Sequence, residues 1–287
     1  MIPIGLNLTS MGVSSRWWLD AARRAEEAGF AAVWCWDHFI SQGRHKATPV
    51  LECWTTLTAA AAVTSRLRVG SFVTNVMNRH PALLARMLAT LADQSGGRVD
   101  LGIGVGGHAA EMEAYGIPFP PPAARTEILE EAVAVLRALW SDGPAEYAGR
   151  HFRLREAWAH PIPQPAPRII VGGETASGAR LAARVGDGWT TNGPDYDRLL
   201  PIHTAELERH GRTRADVVHV VAVKLARDEP LERQPLVADM RGFVAAWQER
   251  GADEMVVSWV RPEQLAPLLG AAERAGLTSA SEAAGSH

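Results

Sequence analysis

The stretch that decides the fold is a single strand–helix–strand unit, residues 67–105, which reads LRVGSFVTNVMNRHPALLARMLATLADQSGGRVDLGIGV. Residues 67–74 and 99–105 are short apolar runs, and 81–94 between them repeat apolar side chains at helical spacing with a proline in the first turn. A helix that connects two adjacent strands of a sheet is the usual crossover between parallel strands. The unit therefore predicts a parallel sheet covered by helices.

The same alternation continues in both directions along the chain. Strands are predicted at residues 2–8, 31–36, 67–74, 99–105, 168–171, 188–191, 217–225 and 254–259. Helices are predicted at residues 14–29, 52–64, 81–94, 126–140, 176–185, 195–209, 237–250 and 262–275. Eight strand–helix units are the number at which a parallel sheet closes on itself, so we expect an α/β protein with a single (β/α)8 TIM barrel over residues 1–277.

Two segments fall outside the alternation. Residues 141–167, before the fifth barrel strand, are rich in proline, glycine and aromatic residues and are interpreted as an insertion. Within it, residues 146–147 and 151–154 predict a small hairpin. The small, polar residues 278–287 are expected to form a flexible tail.

Composition excludes several classes of protein. The 287 residues carry a net charge of −3 and a pI near 6.4, which argues against a nucleic-acid partner. The longest apolar run, around 55–64, is well below the ~20 residues of a membrane span. Cys35 and Cys53 are the only cysteines, and no basic residue precedes Arg16. The expected location is therefore the cytoplasm, with no membrane partner.

In a TIM barrel the active site lies where the loops leave the carboxyl ends of the strands. His38 follows the second predicted strand and is the candidate proton donor or acceptor, because histidine is the residue type whose ordinary pKa lies nearest neutrality. The alternative is an exposed loop histidine with Asp37 acting as a helix cap.

Glycines follow the fourth and fifth predicted strands. Gly102, Gly104 and Gly107 match the G-x-G-x-x-G spacing, but they lie on the fourth strand and not in an opening dinucleotide unit. We interpret them, together with Gly172 and Gly173, as cradles whose backbone N–H groups approach a ligand phosphate. The alternative is a pair of tight turns without a ligand.

Other polar candidates are fewer. His108 and Glu111 stand three residues apart, and without a third ligand nearby no metal site is expected. Lys224, near the end of the seventh strand, is expected to bind an anionic part of the substrate or cofactor; the alternatives are a solvent-exposed lysine and, less favoured, a Schiff-base lysine.

The chain has ten tryptophans, an unusual number beside six phenylalanines. Half of them lie in or just after predicted strands, or at the start of the following helix, and are expected near the mouth of the barrel: Trp34, Trp36, Trp54, Trp189 and Trp259. Trp36 and Trp259 are the candidates for the wall of a substrate site.

Several strings taken together resemble the bacterial luciferase-like monooxygenase superfamily. They are 33–39 (VWCWDHF), 68–75 (RVGSFVTN), 79–82 (RHPA), 97–104 (GRVDLGIG), 115–116 (YG), 146–154 (EYAGRHFRL), 170–173 (IVGG) and 182–189 (AARVGDGW). The resemblance runs through nearly the whole chain. It implies a (β/α)8 barrel that binds FMN or the deazaflavin coenzyme F420.

The resemblance also implies roles for particular residues. Asp37 and His38 would lie beside the reactive ring, with His38 handling a proton. Phe72 and Val73 would form a bulge with a non-proline cis peptide against the ring, and Thr74 and Asn75 would complete the ring pocket. The phosphate and side-chain cradle would consist of Val105, Gly106, Gly107, His108 and Ala109 together with Gly172, Gly173 and Glu174. In the sugar-phosphate dehydrogenase branch a glutamate stands at the position of Gly107, so sugar-phosphate oxidation is not expected.

The cofactor sets the reaction. The Asp-His-Phe string, and a composition in which only Lys46 and Lys224 of 29 basic residues are lysines, favour the F420-using branch of GC-rich bacteria. The predicted activity is hydride transfer between the deazaflavin C5 and a C=C, C=N or C–OH group of a small organic substrate. The alternatives are an FMN-dependent two-component monooxygenase and a barrel that binds flavin or F420 without turnover. Apolar helices at 52–64 and 81–94 could support a homodimer, as in many relatives.

Overall fold

The computed structural model describes residues 1–42 and 45–277, so the expectation of a flexible tail at 278–287 lies outside the described residues. The strands are β1 (Ile4–Leu8), β2 (Ala32–Cys35), β3 (Arg68–Asn75), β4 (Val99–Gly104), β5 (Ala145–Ala148), β6 (Arg153–Ala157), β7 (Arg168–Gly172), β8 (Gly188–Asn192), β9 (Val218–Lys224) and β10 (Glu254–Val260). The α-helices are α1 (Ser15–Glu27), α2 (Cys53–Val63), α3 (Pro81–Ser95), α4 (Ala109–Ala114), α5 (Pro122–Leu139), α6 (Ala176–Val185), α7 (Gly193–Arg209), α8 (Pro235–Ala238), α9 (Met240–Glu249) and α10 (Pro262–Arg274).

Eight of the strands close into a barrel. Their order around it is β1, β10, β9, β8, β7, β4, β3 and β2, and every adjacent pair is parallel. The predicted TIM barrel is confirmed. The remaining strands, β5 and β6, form the antiparallel hairpin predicted between β4 and β7.

The helices agree with the prediction at most positions and differ at three. The single helix predicted at 237–250 is instead two helices, α8 and α9, because Asp239 between them has a non-helical backbone and caps α9 by accepting the N–H of Gly242. Helix α5 begins at Pro122, four residues before the predicted 126, because proline suits the first turn of a helix. The short helix α4 was not among the predicted barrel helices, and its six residues are too few for a periodic apolar pattern to reveal them. No helix in the described part of the chain is long and apolar enough to cross a bilayer.

Trp34 fills the lower interior of the barrel. Its side chain packs with Ala32, Ile170, Val220 and Val256 in a core that is separate from the one between strands and helices. A Cβ on Gly5 would lie 2.5 Å from the Trp34 indole nitrogen, and a Cβ on Gly70 would collide with the other end of the ring. The two neighbouring strands thus carry glycine where the indole needs space. Trp34 belongs to the barrel interior, so its expected place at the mouth is wrong.

The amino-terminal end of the barrel is sealed by ion pairs around a fully buried carboxylate. Asp100 accepts hydrogen bonds from the guanidinium groups of Arg68 and Arg168, and Arg168 also pairs with Glu254 at 2.6 Å. Burial raises the pKa of Asp100, but the bonds from Arg168 and Arg68 outweigh it, and the pKa lies below its ordinary value. The carboxylate therefore stays charged throughout the ordinary pH range.

Two further tryptophans were wrongly expected at the mouth. Trp189 points outward from β8 and stacks on His203 of α7, with ring centroids 4.5 Å apart and planes inclined by 11°. His219 of β9 and Tyr196 of α7 complete this buried cluster, joined by a 2.9 Å hydrogen bond between the tyrosine hydroxyl and Nδ1. Trp54 is buried on α2, beside a cavity between α2 and α3. Residues of opposite parity along a strand face opposite sides, and Trp189 takes the helix side.

Candidate active site

A cavity of about 520 Å³ lies at the carboxyl ends of the barrel strands. Among the described residues, its lining consists of Trp36, Asp37, His38, Phe72, Val73, Thr74, Asn75, Val105, Gly106, Gly107, His108, Glu111, Gly172, Gly173, Glu174, Thr175, Thr190, Thr191, Asn192, Ala222, Lys224, Ser258 and Trp259. The residues predicted for the site line this cavity, except the cradle glycines Gly102 and Gly104 and Ala109, which begins helix α4. The cavity is within the size range of ordinary small-molecule sites.

The cavity floor is built where β3 departs from regular pairing. The Phe72–Val73 peptide is cis, as the family resemblance implied, and the β3–β4 register shifts between Ser71 and Thr74. A Cβ at Gly104 would lie 2.9 Å from Val73 Cγ2, and one at Gly102 would collide with the Ser71 carbonyl oxygen. The first two glycines of the G-x-G-x-x-G string therefore make room for the neighbouring strand. Their interpretation as part of a phosphate cradle is wrong.

His38 is oriented by a buried carboxylate. Its Nδ1 lies 2.8 Å from Oε2 of Glu111, and the other oxygen of Glu111 accepts the backbone N–H groups of Phe39 and Ile40. Because the carboxylate is an acceptor only, the Nδ1 carries the hydrogen in this contact. The Nε2 of a neutral His38 is then free to accept a proton.

Burial and hydrogen bonding act in opposite directions on Glu111. Its side chain is only 2% exposed, and burial raises its pKa. The hydrogen bonds from His38 and from the backbone of Phe39 outweigh burial, so the pKa lies below its ordinary value. Glu111 therefore keeps its negative charge where it accepts the hydrogen bond from Nδ1 of His38.

Asp37 has a different role from its neighbour. Both of its oxygens bind the guanidinium of Arg79, at 2.7 and 2.9 Å, and one also accepts the N–H of Asn75. Arg79 makes a further bond to Glu52 at 3.0 Å. This network ties the end of β2 to the end of β3, and it fixes the direction in which the chain enters His38.

Two aromatic rings form one wall of the cavity. Trp36 and Trp259 meet edge to face, with centroids 3.9 Å apart, and Trp36 also contacts the ring of His38. Trp259 has φ of +63°, a left-handed backbone conformation that is costly for a bulky residue. Its backbone N–H donates a hydrogen bond to Oδ1 of the buried Asn7. Lys224 lies beside this wall, its Nζ 5.8 Å from the Trp259 ring.

The loops after β4 and β7 leave backbone exposed to the cavity. Gly106 has φ of +76°, and a Cβ there would lie 2.6 Å from Oδ1 of Asn75, so only glycine fits. Gly107 has open space where its Cβ would be. Gly173 packs against Gly178 in the first turn of α6, whose N-cap Thr175 accepts the N–H of Gly178. These bare backbone segments can hold an anionic group close to the main chain.

The sequence indicated the position of His38 but missed its partner. Glu111 was considered only with His108 as a metal pair, and it instead binds His38, 73 residues away. Among the described residues there is no group of three or more metal-ligating side chains. A signal was present in the sequence, since Glu111 is an acid four residues beyond Gly107 in the glycine-rich loop after β4, but its partner depends on the tertiary fold.

Comparison with known proteins gives consistent results. Residues 5–275 match the model of the family described as luciferase-like monooxygenase. The F420-dependent glucose-6-phosphate dehydrogenase of Kineococcus radiotolerans is 35% identical over 217 residues, which cover 73% of this chain and 64% of that protein. The enzyme of the same name from Intrasporangium calvum is 34% identical over 239 residues, covering 79% of this chain and 70% of the relative. The chain thus spans just under two thirds of the first of these relatives.

Solved structures agree on the fold. An F420-dependent secondary alcohol dehydrogenase in complex with an F420-acetone adduct superposes with a TM-score of 0.83 at 22% identity, covering 96% of this chain and 99% of that one. The coenzyme F420 dependent tetrahydromethanopterin reductase from Methanopyrus kandleri superposes with a TM-score of 0.74 at 18% identity, covering 94% and 97%. At these identities the likeness is one of architecture.

Proposed function

This chain belongs to the luciferase-like monooxygenase family, and from that premise we propose that it is an oxidoreductase that transfers a hydride between coenzyme F420 and a small organic substrate. The observation that carries the proposal is the His38–Glu111 pair, an imidazole held by a buried carboxylate with its second nitrogen free beside the cavity. The names of the curated relatives support F420 as the cofactor.

The residues around the cavity suit a flat ring with an anionic side chain. Val73 and Val105 supply apolar surface, while Gly106 and Gly107 leave the backbone bare. We assign the ring pocket to Asp37, His38, Phe72, Val73, Thr74 and Asn75, with Asp37 acting through the end of β2. We assign the anionic arm to the backbone of residues 105–109 and 172–174, of which Ala109 contributes only as the first residue of α4.

When bound, F420 supplies a single two-electron hydride exchange at its C5 carbon. His38 handles the accompanying proton: Nε2 takes the hydroxyl proton when a C–OH group is oxidised and returns it in the reverse direction. Glu111 keeps the imidazole in the tautomer that this requires and stabilises the imidazolium that results. Trp36 and Trp259 place the substrate and exclude water, and Lys224 binds an anionic part of it.

Titration of the purified protein tests the proposal. We expect F420 to bind with micromolar or tighter affinity and to be reduced by a C–OH substrate or oxidised by its carbonyl product, followed by F420 absorbance. FMN titrated in parallel is the control for the alternative monooxygenase. Binding of FMN alone would contradict the cofactor assignment, and failure of both cofactors to bind would contradict the redox function.

We also propose that the protein forms a homodimer through α2 and α3. Cys53–Val63 contains no charged residue although α2 is an outer helix, and a cavity of about 910 Å³ lies between it and α3. A helix that is uncharged on all sides is typical of a covered position. Light scattering of the protein and of an Ala62→Glu variant tests this: the variant should be monomeric, and a monomeric wild type would contradict the proposal.

A further inference from the structure

Gln42 contacts the candidate proton-handling residue, although it is not among the residues predicted for the site. The chain bends at residues 39, 40 and 42, just after His38, and so returns toward it. Two contacts with the segment after β4 hold this bend. The backbone N–H of Phe39 donates to Oε1 of Glu111, and the hydroxyl of Tyr115 donates to the carbonyl oxygen of Phe39 at 3.3 Å. The side-chain amide nitrogen of Gln42 consequently lies 3.2 Å from Nδ1 of His38.

Two side chains therefore meet the same ring nitrogen, because Oε2 of Glu111 lies 2.8 Å from Nδ1 of His38. Burial raises the pKa of Glu111, but the hydrogen bonds that it accepts outweigh burial, so the carboxylate keeps its charge and can only accept. The one hydrogen of Nδ1 is then committed to an acceptor, and an N–H of Gln42 directed at the same atom would oppose it. The carboxamide fits with its oxygen toward Nδ1, a half-turn that exchanges two ends of nearly the same shape.

Few charges act directly on His38. Within residues 1–42 and 45–277, Glu111 is the only charged side chain that forms an ion pair with it. The ring of His108 lies 5.1 Å away between centroids, and burial lowers the pKa of His108, with smaller contributions in the same direction from His38 and Lys46. The carboxylate of Asp37 is already bound by a guanidinium. A further charge beside Nδ1 would therefore be a large change in the surroundings of the ring.

We infer that Gln42 is a positioning residue for His38: its carboxamide oxygen accepts the Nδ1–H together with Glu111, which holds the imidazole with Nε2 left for the cavity. The inference rests on the proposed function for what Nε2 does there. An uncharged second acceptor fixes the ring without adding a second negative charge beside it. A carboxylate at this position would favour the imidazolium, whereas a group that takes up a proton and gives it back must hold both forms near working pH.

The tautomer of His38 tests the inference without cofactor or turnover. Two-bond proton–nitrogen spectra of the full chain labelled with 15N-histidine show which ring nitrogen carries the hydrogen, and the signals missing from His38→Ala identify His38. We expect the Nδ1–H form. In Gln42→Leu the midpoint of the His38 titration should move down by about half a pH unit, because the protonated ring loses an acceptor. The Nε2–H form in the wild type, or a midpoint that stays or rises in Gln42→Leu, would overturn the inference.

Gln42→Glu tests the importance of the neutral amide. The added carboxylate stabilises the imidazolium, so the midpoint of the His38 titration should rise by about one pH unit. The pH profile of alcohol oxidation with F420 should move up by the same amount, which lowers the rate about tenfold at a given pH on its acidic side. Carbonyl reduction, which uses the protonated ring, should instead extend to higher pH.

The matched control is Gln248→Glu, which adds the same charge at an exposed position of α9 and should leave the titration and both profiles unchanged. Equal losses in both reaction directions with unmoved profiles in Gln42→Glu would limit Gln42 to a packing role and overturn the inference. A protein with the Nδ1–H tautomer and the expected titration shifts that exchanges no hydride with F420 would retain Gln42 as a positioning residue and lose the proposed function. Hydride exchange by a protein whose His38 carries the hydrogen on Nε2 would retain the function and lose the role of Gln42.

Discussion

The two ends of the barrel use charged residues for opposite purposes. At the amino-terminal end, Asp100 has two arginine partners and Arg168 has two carboxylates, so each of these groups is matched. At the carboxyl end, His38 has one ring nitrogen bound to Glu111 and one left over, and Lys224 has no ion-pair partner among the described residues. The eight strands are common to both ends; what differs is whether the polar groups are satisfied within the protein.

The matched groups at the amino-terminal end are therefore expected to affect stability, and the incompletely paired groups at the carboxyl end are expected to affect catalysis. A buried charge whose partners are all in place cannot exchange protons near neutral pH. Its effect on the stability of the protein becomes measurable when one partner is removed, because the other charge is then left buried and unpaired. A polar group with one remaining site can bind a ligand or move a proton. Variants at each end should therefore affect different measurements, and the expectations below are ordered by the size of the effect.

The largest effect is expected at the carboxyl end. His38→Ala should lower turnover with F420 by roughly 100-fold to 10,000-fold, the usual contribution of a general acid or base, with the Kd of F420 changed by less than about threefold. Stopped-flow measurement of F420 absorbance gives the hydride-transfer step directly.

Glu111→Gln provides the companion variant. It keeps the size of the side chain but removes the charge beside His38, and it should lower turnover by about tenfold or more while shifting the pH profile. Unchanged turnover in His38→Ala would assign the proton to a bound water. An unchanged pH profile in Glu111→Gln would limit Glu111 to a structural role.

The second effect is expected at the amino-terminal end. Asp100→Ala leaves Arg68 and Arg168 facing each other without their common carboxylate, and should lower the free energy of unfolding by about 3 kcal/mol. This loss lies at the lower end of the usual range for removing one partner of a buried ion pair, because 35% of the Arg68 side chain and 29% of the Arg168 side chain remain exposed to water. Urea unfolding followed by circular dichroism measures the change.

The control is Asp197→Ala, which removes a partner of Arg250 at a carboxylate that is 67% exposed and should cost less than about 1 kcal/mol. The turnover of the folded Asp100→Ala protein should be close to that of the wild type. A large loss of turnover without loss of stability would break the separation between the two ends.

The third effect distinguishes His38 from the imidazoles buried beneath the helices. Burial lowers the pKa of His203 to about 4 and that of His219 to about 2, and Arg214 adds to both shifts. Among residues 1–42 and 45–277, neither ring nitrogen of His203 has a hydrogen-bond partner, and neither does Nε2 of His219.

Because these pKa values lie below that of an unfolded histidine, the unfolded chain binds more protons as the pH falls. The stabilising effect is present above pH ~6.5 and is lost as the pH falls toward the folded values, at about 1.4 kcal/mol per pH unit for each imidazole. Urea unfolding at several pH values between 7.5 and 4.5 measures this loss. His203→Leu should remove about half of the slope, and an unchanged slope would show that the cluster is not its source.

The smallest effect is expected at the aromatic wall. Trp259→Ala should raise the KM or Kd of the substrate by about tenfold through loss of ring contacts, with little change in the Kd of F420. Trp36→Ala should behave similarly. Trp259→Gly removes the same ring but suits φ of +63° better, so it should be more stable to urea than Trp259→Ala. A loss of F420 affinity equal to the loss of substrate affinity would show that the two tryptophan rings contact the cofactor and not only the substrate.

Sequence reasoning succeeded where a local pattern is enough. Apolar runs alternating with helical periods predicted the barrel strands, and the barrel rule then placed His38, Val73 and Lys224 on the same face. The cis peptide at Phe72–Val73 followed from family resemblance and could not have been inferred from propensity.

It failed where the answer depends on which distant groups meet. Glu111 binds His38 only because the segment after β4 lies over the end of β2. Arg79 binds Asp37 because the segment after β3 also lies beside the end of β2. Trp189 and Trp34 were expected at the mouth because they lie in strands that lead there. Trp189 faces the helices, and Trp34 faces the barrel axis directly beneath Phe72 of the cavity lining. Periodicity alone does not give the depth of a residue along the axis.

The indole of Trp34 has a kinetic consequence. Because it occupies the barrel interior between Gly5 and Gly70, and the ion pairs of Asp100 lie beneath it, the cavity is closed toward the amino-terminal end of the barrel. With Phe72 of the proposed ring pocket packed against Trp34, a substrate that arrived first would obstruct the cofactor. Turnover in such a blind pocket follows a compulsory order, cofactor before substrate and product before cofactor. The organic product should then inhibit noncompetitively against both the substrate and F420, and only the spent form of F420 should compete with the form that the reaction consumes.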